Sequence, residues 1–375
     1  MREPKKVLFI TAPIGSGHMR AAQAIMKKLE SLSPGVDTKM ANIFDFISPV
    51  LGDTILKGYL KVLEHFPLAY GMAYGWGNTN KAALLGREIV SRYISSRMER
   101  FLVNYAPDAI VCTHATPAGM ISHLARNGKV GVPSIAAVTD FTVHRLWAYP
   151  ELDYYFVAHT KMRDDLAKWG ISHERSQAIG IPVDQVFSAL PCKEEILTKL
   201  EMDKTLKTVL IMGGGAGVFP MDRIVSACNQ VDASFQMIVV AGNNKKMYKR
   251  LINNQVGFRC PIKIFGFVDN IHELMAVADI LISKPGGMTA AEAACRGLPM
   301  VIFRPIPGQE EANTRYLENK KAAIKANSPH DVQVLLKRLL VEQPQELTEL
   351  KQNMYKLGHP EAADTIARYI LAKIG

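Results

Sequence analysis

The chain has 375 residues, of which 48% are hydrophobic and 21% are charged. This length and composition favour two packed domains and exclude an intrinsically disordered chain. The 45 Lys and Arg residues against 35 Asp and Glu give a formal net charge of +10, which indicates an anionic partner (nucleic acid or an acidic membrane surface) or a charge that only maintains solubility.

The first predicted element is a buried parallel strand at residues 7–11, followed by the turn Gly-Ser-Gly-His at residues 15–18 and a helix over residues 20–31. The basic start resembles a signal peptide, but the apolar run is too short and no cleavage site follows. Residues that follow parallel strands line the ligand cleft of an α/β sheet. His18 is therefore a candidate general base for an alcohol, with helix capping or phosphate binding as alternatives.

A dinucleotide-binding interpretation of this turn is weak. Asp37 lies about twenty residues beyond Gly17, where an acid that binds ribose would fall. Arg20, however, occupies the place of the third small residue that close packing of helix on sheet requires.

The segment over residues 44–100 mixes aromatic, apolar and basic residues. Leu56, Tyr59, Leu60 and Leu63 fall at helical spacing, and lysines occupy the other faces. This pattern favours contact with a membrane interface or a lipid acceptor, and the alternative is an ordinary pair of packed helices.

Two further strands are predicted at residues 109–113 and 134–139. His114, Asp140 and His144 follow them and are candidates for supporting roles in the cleft, although single residues of this kind are more often structural. A charged segment without strands, residues 184–207, is predicted to link the domains.

A second doubly wound domain is predicted from a new strand at residues 208–212 and its own glycine loop, which contains Gly214. Strands at residues 236–241 and 263–265 follow, and the latter leads into Phe267 and Val268. Phe267 is either a ligand contact or a core residue.

The strongest motif is a strand, a glycine turn and a helix over residues 280–297. Backbone N–H groups at the turn suit a diphosphate, which we place at Gly286, Gly287, Met288 and Thr289. Glu292, one turn into the helix, suits ribose hydroxyls. The alternative is an ordinary strand-turn-helix corner.

After a strand at residues 300–303, a Pro- and Gly-rich loop is expected to present Gln309, Glu310 and Asn313 to sugar hydroxyls. The tail over residues 347–374 is predicted to be helical. Five scattered cysteines without a Cys-x-x-Cys pair indicate a reducing compartment and argue against structural zinc. No apolar run approaches the length that crosses a bilayer, so a cytosolic protein with peripheral membrane contact is expected.

These motifs resemble the GT-B glycosyltransferases, specifically the family of monogalactosyldiacylglycerol synthase and the processive diacylglycerol glucosyltransferases. The resemblance is strongest at residues 7–22 and 264–317 and loosest at residues 44–105. It implies two Rossmann-like, doubly wound α/β domains that face a central cleft. The implied domains are an acceptor- and membrane-binding domain at residues 1–190, a UDP-sugar domain at residues 205–345 and a terminal helical segment at 346–375 that packs back on the first.

The resemblance also implies transfer of glucose or galactose from a UDP-sugar to 1,2-diacylglycerol with inversion, on the cytoplasmic side of the membrane, without metal, cofactor or nucleic acid. The family's Gly-x-Gly-His motif aligns its presumed base with His18, and Ser16 stands where plant members carry Gly. Phe267 and Val268 would meet the uracil ring. The residues expected to bind substrate are Gly17, Asp140 and Trp147 in the first domain, and Gly214, Phe267, Val268, Gly286, Gly287, Met288, Thr289, Glu292, Gln309 and Glu310 in the second.

Three rival functions would each require a different sequence pattern. A transferase to a polyprenyl-linked peptidoglycan precursor would carry a Gly-Gly-Thr-Gly-Gly-His loop, which residues 15–18 do not reproduce. A UDP-sugar epimerase would need a set of acidic residues in the cleft. A nucleic-acid-binding regulator would group its basic residues in a binding module, whereas here they are spread along the chain.

Overall fold

The computed structural model describes residues 4–12, 15–47, 52, 54, 57–58, 61, 95–189, 191–213 and 219–375. Most of the aromatic and basic segment predicted to contact lipid, and Gly214, therefore lie outside the described residues. The chain divides into two compact units. Unit 1 comprises residues 1–185, 307–309 and 359–375, and unit 2 comprises residues 186–306 and 310–358.

The sheet of unit 1 has six strands in the order β2-β1-β3-β4-β5-β6, and every neighbouring pair is parallel. The strands are β1 (Lys6–Thr11), β2 (Asp37–Asn42), β3 (Ala109–Cys112), β4 (Ser134–Ala137), β5 (Tyr154–Val157) and β6 (Ser176–Ala178). Strands β1, β3 and β4 occupy the predicted positions, whereas β2, β5 and β6 were not predicted. Of the unpredicted strands, β2 and β6 lie at the edges of the sheet.

The sheet of unit 2 also has six parallel strands, in the order β12-β11-β10-β7-β8-β9. The strands are β7 (Lys207–Met212), β8 (Phe235–Val240), β9 (Ile262–Phe265), β10 (Ile280–Ser283), β11 (Met300–Phe303) and β12 (Ala323–Ala326). Five of these strands were predicted, and the exception is again an edge strand, β12. Two parallel sheets with crossover helices confirm the predicted α/β class.

The helices follow the strands in alternation. They are α1 (Gly17–Leu32), α2 (Ala115–Arg126), α3 (Thr160–Ala167), α4 (Lys193–Lys199), α5 (Met221–Asn229), α6 (Lys245–Asn253), α7 (Ile271–Val277), α8 (Gly287–Cys295), α9 (Gln309–Asn319), α10 (Pro329–Lys337), α11 (Pro344–Tyr355) and α12 (Ala362–Ile374). Residues 95–105 are also helical, and five residues, Arg338–Glu342, form a π-helical segment after α10. No helix among the described residues is both long and apolar enough to span a membrane.

The core of unit 1 is built where α1 and α12 cover the same face of the sheet. Phe9, Ile25 and Phe156 are at most 1% exposed and cluster with Ile366 and Ile370 of α12. Tyr369 stacks on Tyr154, with ring centroids 4.5 Å apart. The last helix of the chain is therefore part of the core that packs α1 on the sheet.

The segment predicted as a linker is partly ordered as helix α4 and groups with unit 2, where it packs against α7. The predicted tail also divides, because α11 belongs to unit 2 and packs against α8, whereas α12 belongs to unit 1. Charge and the lack of strand patterns therefore located the boundaries between the units less well than apolar runs located the strands.

Candidate active site

In unit 1, the loops at the carboxyl ends of β1, β3 and β4 bring the predicted polar residues together. Helix α1 begins at Gly17, six residues after the end of β1, and His18 is its second residue. The rings of His18 and His114, which follows β3, meet edge to face with centroids 4.7 Å apart. The loop after β4 contributes Thr139, whose side chain is 3% exposed. The two histidines that the sequence predicts for the cleft therefore lie together beyond the carboxyl ends of the strands.

Two oxygen atoms hold the Nδ1 side of the His18 ring. Nδ1 lies 3.0 Å from the Thr113 carbonyl oxygen and 2.6 Å from the Thr139 hydroxyl oxygen. Because a carbonyl oxygen can only accept, the neutral ring carries its proton on Nδ1. The lone pair is therefore on Nε2, which is the tautomer that a general base requires.

His18 is half-buried, and desolvation by the surrounding protein keeps its ring neutral. Desolvation lowers the pKa of His18 to about 4, and the hydrogen bond to the Thr113 carbonyl offsets this shift in part. His114 accepts a hydrogen bond on Nδ1 from the backbone N–H of Thr116 at 3.2 Å. Burial, and secondarily its proximity to His18, hold the pKa of His114 well below its usual value. Both rings are therefore uncharged at neutral pH.

Other polar residues of this edge have structural roles in this state. His144 is 5% exposed and accepts the backbone N–H of Leu146 on Nδ1 at 3.1 Å, which caps the short 3-10 helix that contains Trp147. Trp147 and Asp140 are each 6% exposed. The Asp140 carboxylate accepts the side-chain amide of Gln309, a residue that groups with unit 1. An acceptor contact for Asp140 or Trp147 stays a prediction.

Asp37 does not support dinucleotide binding. It is the first residue of β2 and accepts a hydrogen bond from the Tyr105 hydroxyl at 3.2 Å. Nucleotides bind beyond the carboxyl ends of parallel strands, whereas the start of β2 lies at the amino ends of the strands. The acid that this interpretation required is therefore in the wrong place.

In unit 2, β10 leads directly into the glycine turn and helix α8. Gly286 is the N-cap, and no described side chain caps the helix in its place. The first N–H groups of a helix lack intrahelical acceptors, so those of Gly287, Met288 and Thr289 remain available for an anion. Glu292 lies in the same helix and is 1% exposed. This geometry fits the predicted diphosphate position.

The expected loop after β11 is instead the start of helix α9, which begins at Gln309. Asn313 is fully buried, and its side-chain amide donates to the Pro285 carbonyl oxygen at 3.0 Å. The prediction that Asn313 faces sugar hydroxyls is therefore wrong, because its side chain holds the glycine turn. Glu310 accepts the backbone N–H of Ile306 at 2.7 Å.

Phe267, in the turn after β9, is 72% exposed, so the alternative that it belongs to the core is wrong. Val268 beside it is half-buried. Three residues of these sites were missed by sequence reasoning: Thr113 and Thr139 around His18, and Lys284 before the glycine turn. Among the described residues, no three His, Cys, Asp or Glu side chains are grouped so as to hold a metal ion.

Comparison with known proteins finds relatives along the whole chain. Residues 18–183 match the family model for monogalactosyldiacylglycerol (MGDG) synthase, and residues 208–366 match that for the glycosyltransferase family 28 C-terminal domain. A processive diacylglycerol beta-glucosyltransferase of Bacillus cereus (strain AH820) is 29% identical over 372 residues, which cover 98% of this chain and 94% of the relative. The similarity therefore includes both units.

Solved structures of the same fold include MurG of Acinetobacter baumannii, with a TM-score of 0.64 and 15% identity, covering 98% of this chain and 100% of that one. A UDP-GlcNAc 2-epimerase from Neisseria meningitidis, bound to UDP-GlcNAc, has a TM-score of 0.63 and 14% identity at the same coverage. At these identities the likeness concerns the fold alone. It confirms the predicted GT-B fold, which the transferase and epimerase rivals share.

Proposed function

We propose that this chain, a GT-B glycosyltransferase that resembles the monogalactosyldiacylglycerol synthase and processive diacylglycerol glucosyltransferase family, transfers a hexose from a UDP-sugar to 1,2-diacylglycerol. The observation that carries the chemistry is the neutral His18 ring, whose Nδ1 is bound and whose Nε2 has the lone pair. The similarity to diacylglycerol glucosyltransferases over nearly the full length supports the choice of acceptor.

On the acceptor side, Nε2 of His18 takes the proton of the diacylglycerol hydroxyl while its oxygen bonds to the anomeric carbon. The Thr113 carbonyl and the Thr139 hydroxyl, both on Nδ1, then stabilise the imidazolium that forms. Attack from the face opposite UDP inverts the anomeric carbon. A donor with an α-linked sugar therefore gives a β-glycosyl diacylglycerol.

On the donor side, the bond between the anomeric carbon and the β-phosphate oxygen breaks, and its electron pair leaves with UDP. The free N–H groups and positive end of α8 would bind the diphosphate and stabilise this charge without a metal ion. Glu292 would accept ribose hydroxyls, and Phe267 and Val268 would meet the uracil ring. Gln309 and Glu310 would bind sugar hydroxyls, and Gly17 and Gly214 would line the two glycine loops.

The acceptor requires contact with a membrane, because diacylglycerol does not leave the bilayer. The net charge of +10 favours an anionic surface over a neutral one. Lys57 and Lys61, from the segment predicted to contact lipid, are exposed. We infer peripheral attachment at the cytoplasmic side of the membrane, with no nucleic-acid partner.

The test is an assay with radiolabelled UDP-glucose or UDP-galactose and vesicles that contain diacylglycerol. The expected result is label in the lipid extract, a preference for one donor, a β linkage by NMR and full activity in EDTA. Labelling that occurs only with UDP-N-acetylglucosamine and a polyprenyl-linked acceptor would favour the peptidoglycan rival. Conversion of the UDP-sugar to its epimer without a lipid product would favour the epimerase.

A further inference from the structure

The lysine that precedes the glycine turn of unit 2 lies in an unusual environment. Lys284 follows the last residue of β10, and only 9% of its surface is exposed. Among the described residues, the Lys284 ammonium forms no hydrogen bond or ion pair at contact distance. Its electrostatic neighbours are Glu310, which favours the charged form, and Arg304, which opposes it.

A buried cation without a close counter-ion destabilises a fold, because desolvation is not repaid. Desolvation lowers the pKa of Lys284, Arg304 lowers it further, and the Glu310 carboxylate opposes both effects. Glu310 is also committed to the backbone N–H of Ile306, at 2.7 Å. No described carboxylate therefore forms a close ion pair with the ammonium, and an anionic ligand could supply that contact.

The surroundings of Lys284 contain a second group that favours anions. Helix α8, nine residues long, begins at Gly287, three residues after Lys284, with Gly286 as its N-cap and no acidic residue in its first turn. The amide of Asn313 holds the intervening Pro285 carbonyl, which fixes the course of the turn. A largely buried lysine and the first N–H groups of a helix thus belong to the same turn of the chain.

We propose that the Lys284 ammonium binds the diphosphate of the donor and stabilises the negative charge that develops on departing UDP. This inference rests on the proposed function for the identity of the donor. As the bond to the anomeric carbon breaks, the electron pair moves to the β-phosphate oxygen. The ammonium keeps its proton and acts as a charged hydrogen-bond donor, while the proton of the acceptor hydroxyl goes to His18.

The experiment compares the wild type with Lys284→Met, Lys284→Arg and a control, Lys207→Met. Lys207 begins β7, which pairs in parallel with β10, so the control removes a lysine at the amino ends of these strands, whereas Lys284 follows the carboxyl end of β10. Calorimetry with UDP and with uridine separates binding of the diphosphate from binding of the nucleoside. Thermal unfolding without ligand reports the effect of the buried charge on stability.

We expect Lys284→Met to bind UDP at least tenfold more weakly and uridine with unchanged affinity, and Lys284→Arg to retain most of the UDP affinity. The ligand-free Lys284→Met protein should also unfold at a higher temperature than the wild type, because an unpaired buried charge is gone. Lys207→Met should leave UDP affinity unchanged.

UDP affinity in Lys284→Met within twofold of the wild type would overturn the inference, and so would an equal loss of UDP and uridine affinity. The test does not depend on the acceptor. A wild-type protein that binds UDP but does not glycosylate diacylglycerol would contradict the proposed function and leave the result for Lys284 valid. A wild-type protein that binds no UDP would overturn both.

Discussion

The pKa of His18 leads to an unusual pH dependence of catalysis. A histidine base works while its ring is neutral, so activity is present above its pKa and is lost as the pH falls through it. An ordinary histidine has a pKa near 6.5, whereas burial lowers that of His18 to about 4. The acid limb of the profile should therefore lie far below the usual range.

The magnitude follows from the two pKa values. At pH 5, a base of pKa 4 is about 90% neutral, and one of pKa 6.5 is about 3% neutral. Lowering the pH from 8 to 5 should therefore leave most of the activity in place. Below pH 4, the rate should fall about tenfold for each pH unit.

The assay is kcat/KM for the UDP-sugar, measured between pH 4 and pH 8 at constant ionic strength, because this ratio reports groups of the free enzyme. The diphosphate diester of the donor carries no group that titrates in this range. Vesicle binding is measured in parallel, so that loss of membrane contact is recognised. An acid limb centred near pH 6.5 would show that desolvation does not lower the pKa of His18, or that His18 is not the base.

Two further predictions concern the donor and the membrane. Glu292→Ala should weaken UDP binding by about 1.5–3 kcal/mol through loss of a charge-assisted ribose contact, and unchanged affinity by calorimetry would refute that role. Neutralising Lys57, Lys61 and Arg92 together should reduce sedimentation with phosphatidylglycerol vesicles, at about 1 kcal/mol for each charge, while UDP affinity stays unchanged. Equal binding of the wild type to neutral and anionic vesicles would contradict the electrostatic attachment.

Apart from β9, which is an edge strand, the strands that the sequence predicts are interior strands. Buried on both faces, they appear as continuous apolar runs, such as β3 and β10. Three of the four strands that were missed, β2, β6 and β12, are edge strands, each with one side open, and the fourth is β5. In β2, the residues are alternately exposed and half-buried as far as Met40, so the segment has the polarity of a loop.

In the candidate sites, features formed by neighbouring residues could be predicted, whereas contacts between residues far apart in sequence could not. Glycine turns after strands are local features, and they identified His18 and the start of α8. The partners of His18 are 95 and 121 residues away in sequence, so no local pattern assigns Thr113 or Thr139 to its ring. Lys284 stands beside the glycine turn in the sequence, but only its burial in the structure distinguishes it from a surface lysine. The prediction for Asn313 was wrong because the Pro- and Gly-rich residues before Gln309 indicated a loop, whereas helix α9 begins there.

The most direct test of the central claim measures turnover and donor affinity in the same preparation of His18→Ala. If Nε2 of His18 takes the proton of the diacylglycerol hydroxyl, transfer to diacylglycerol in vesicles should fall by about a hundredfold or more. UDP affinity should stay close to that of the wild type, because His18 acts on the acceptor. Near-normal transfer by His18→Ala would contradict the assignment of the base and the mechanism built on it.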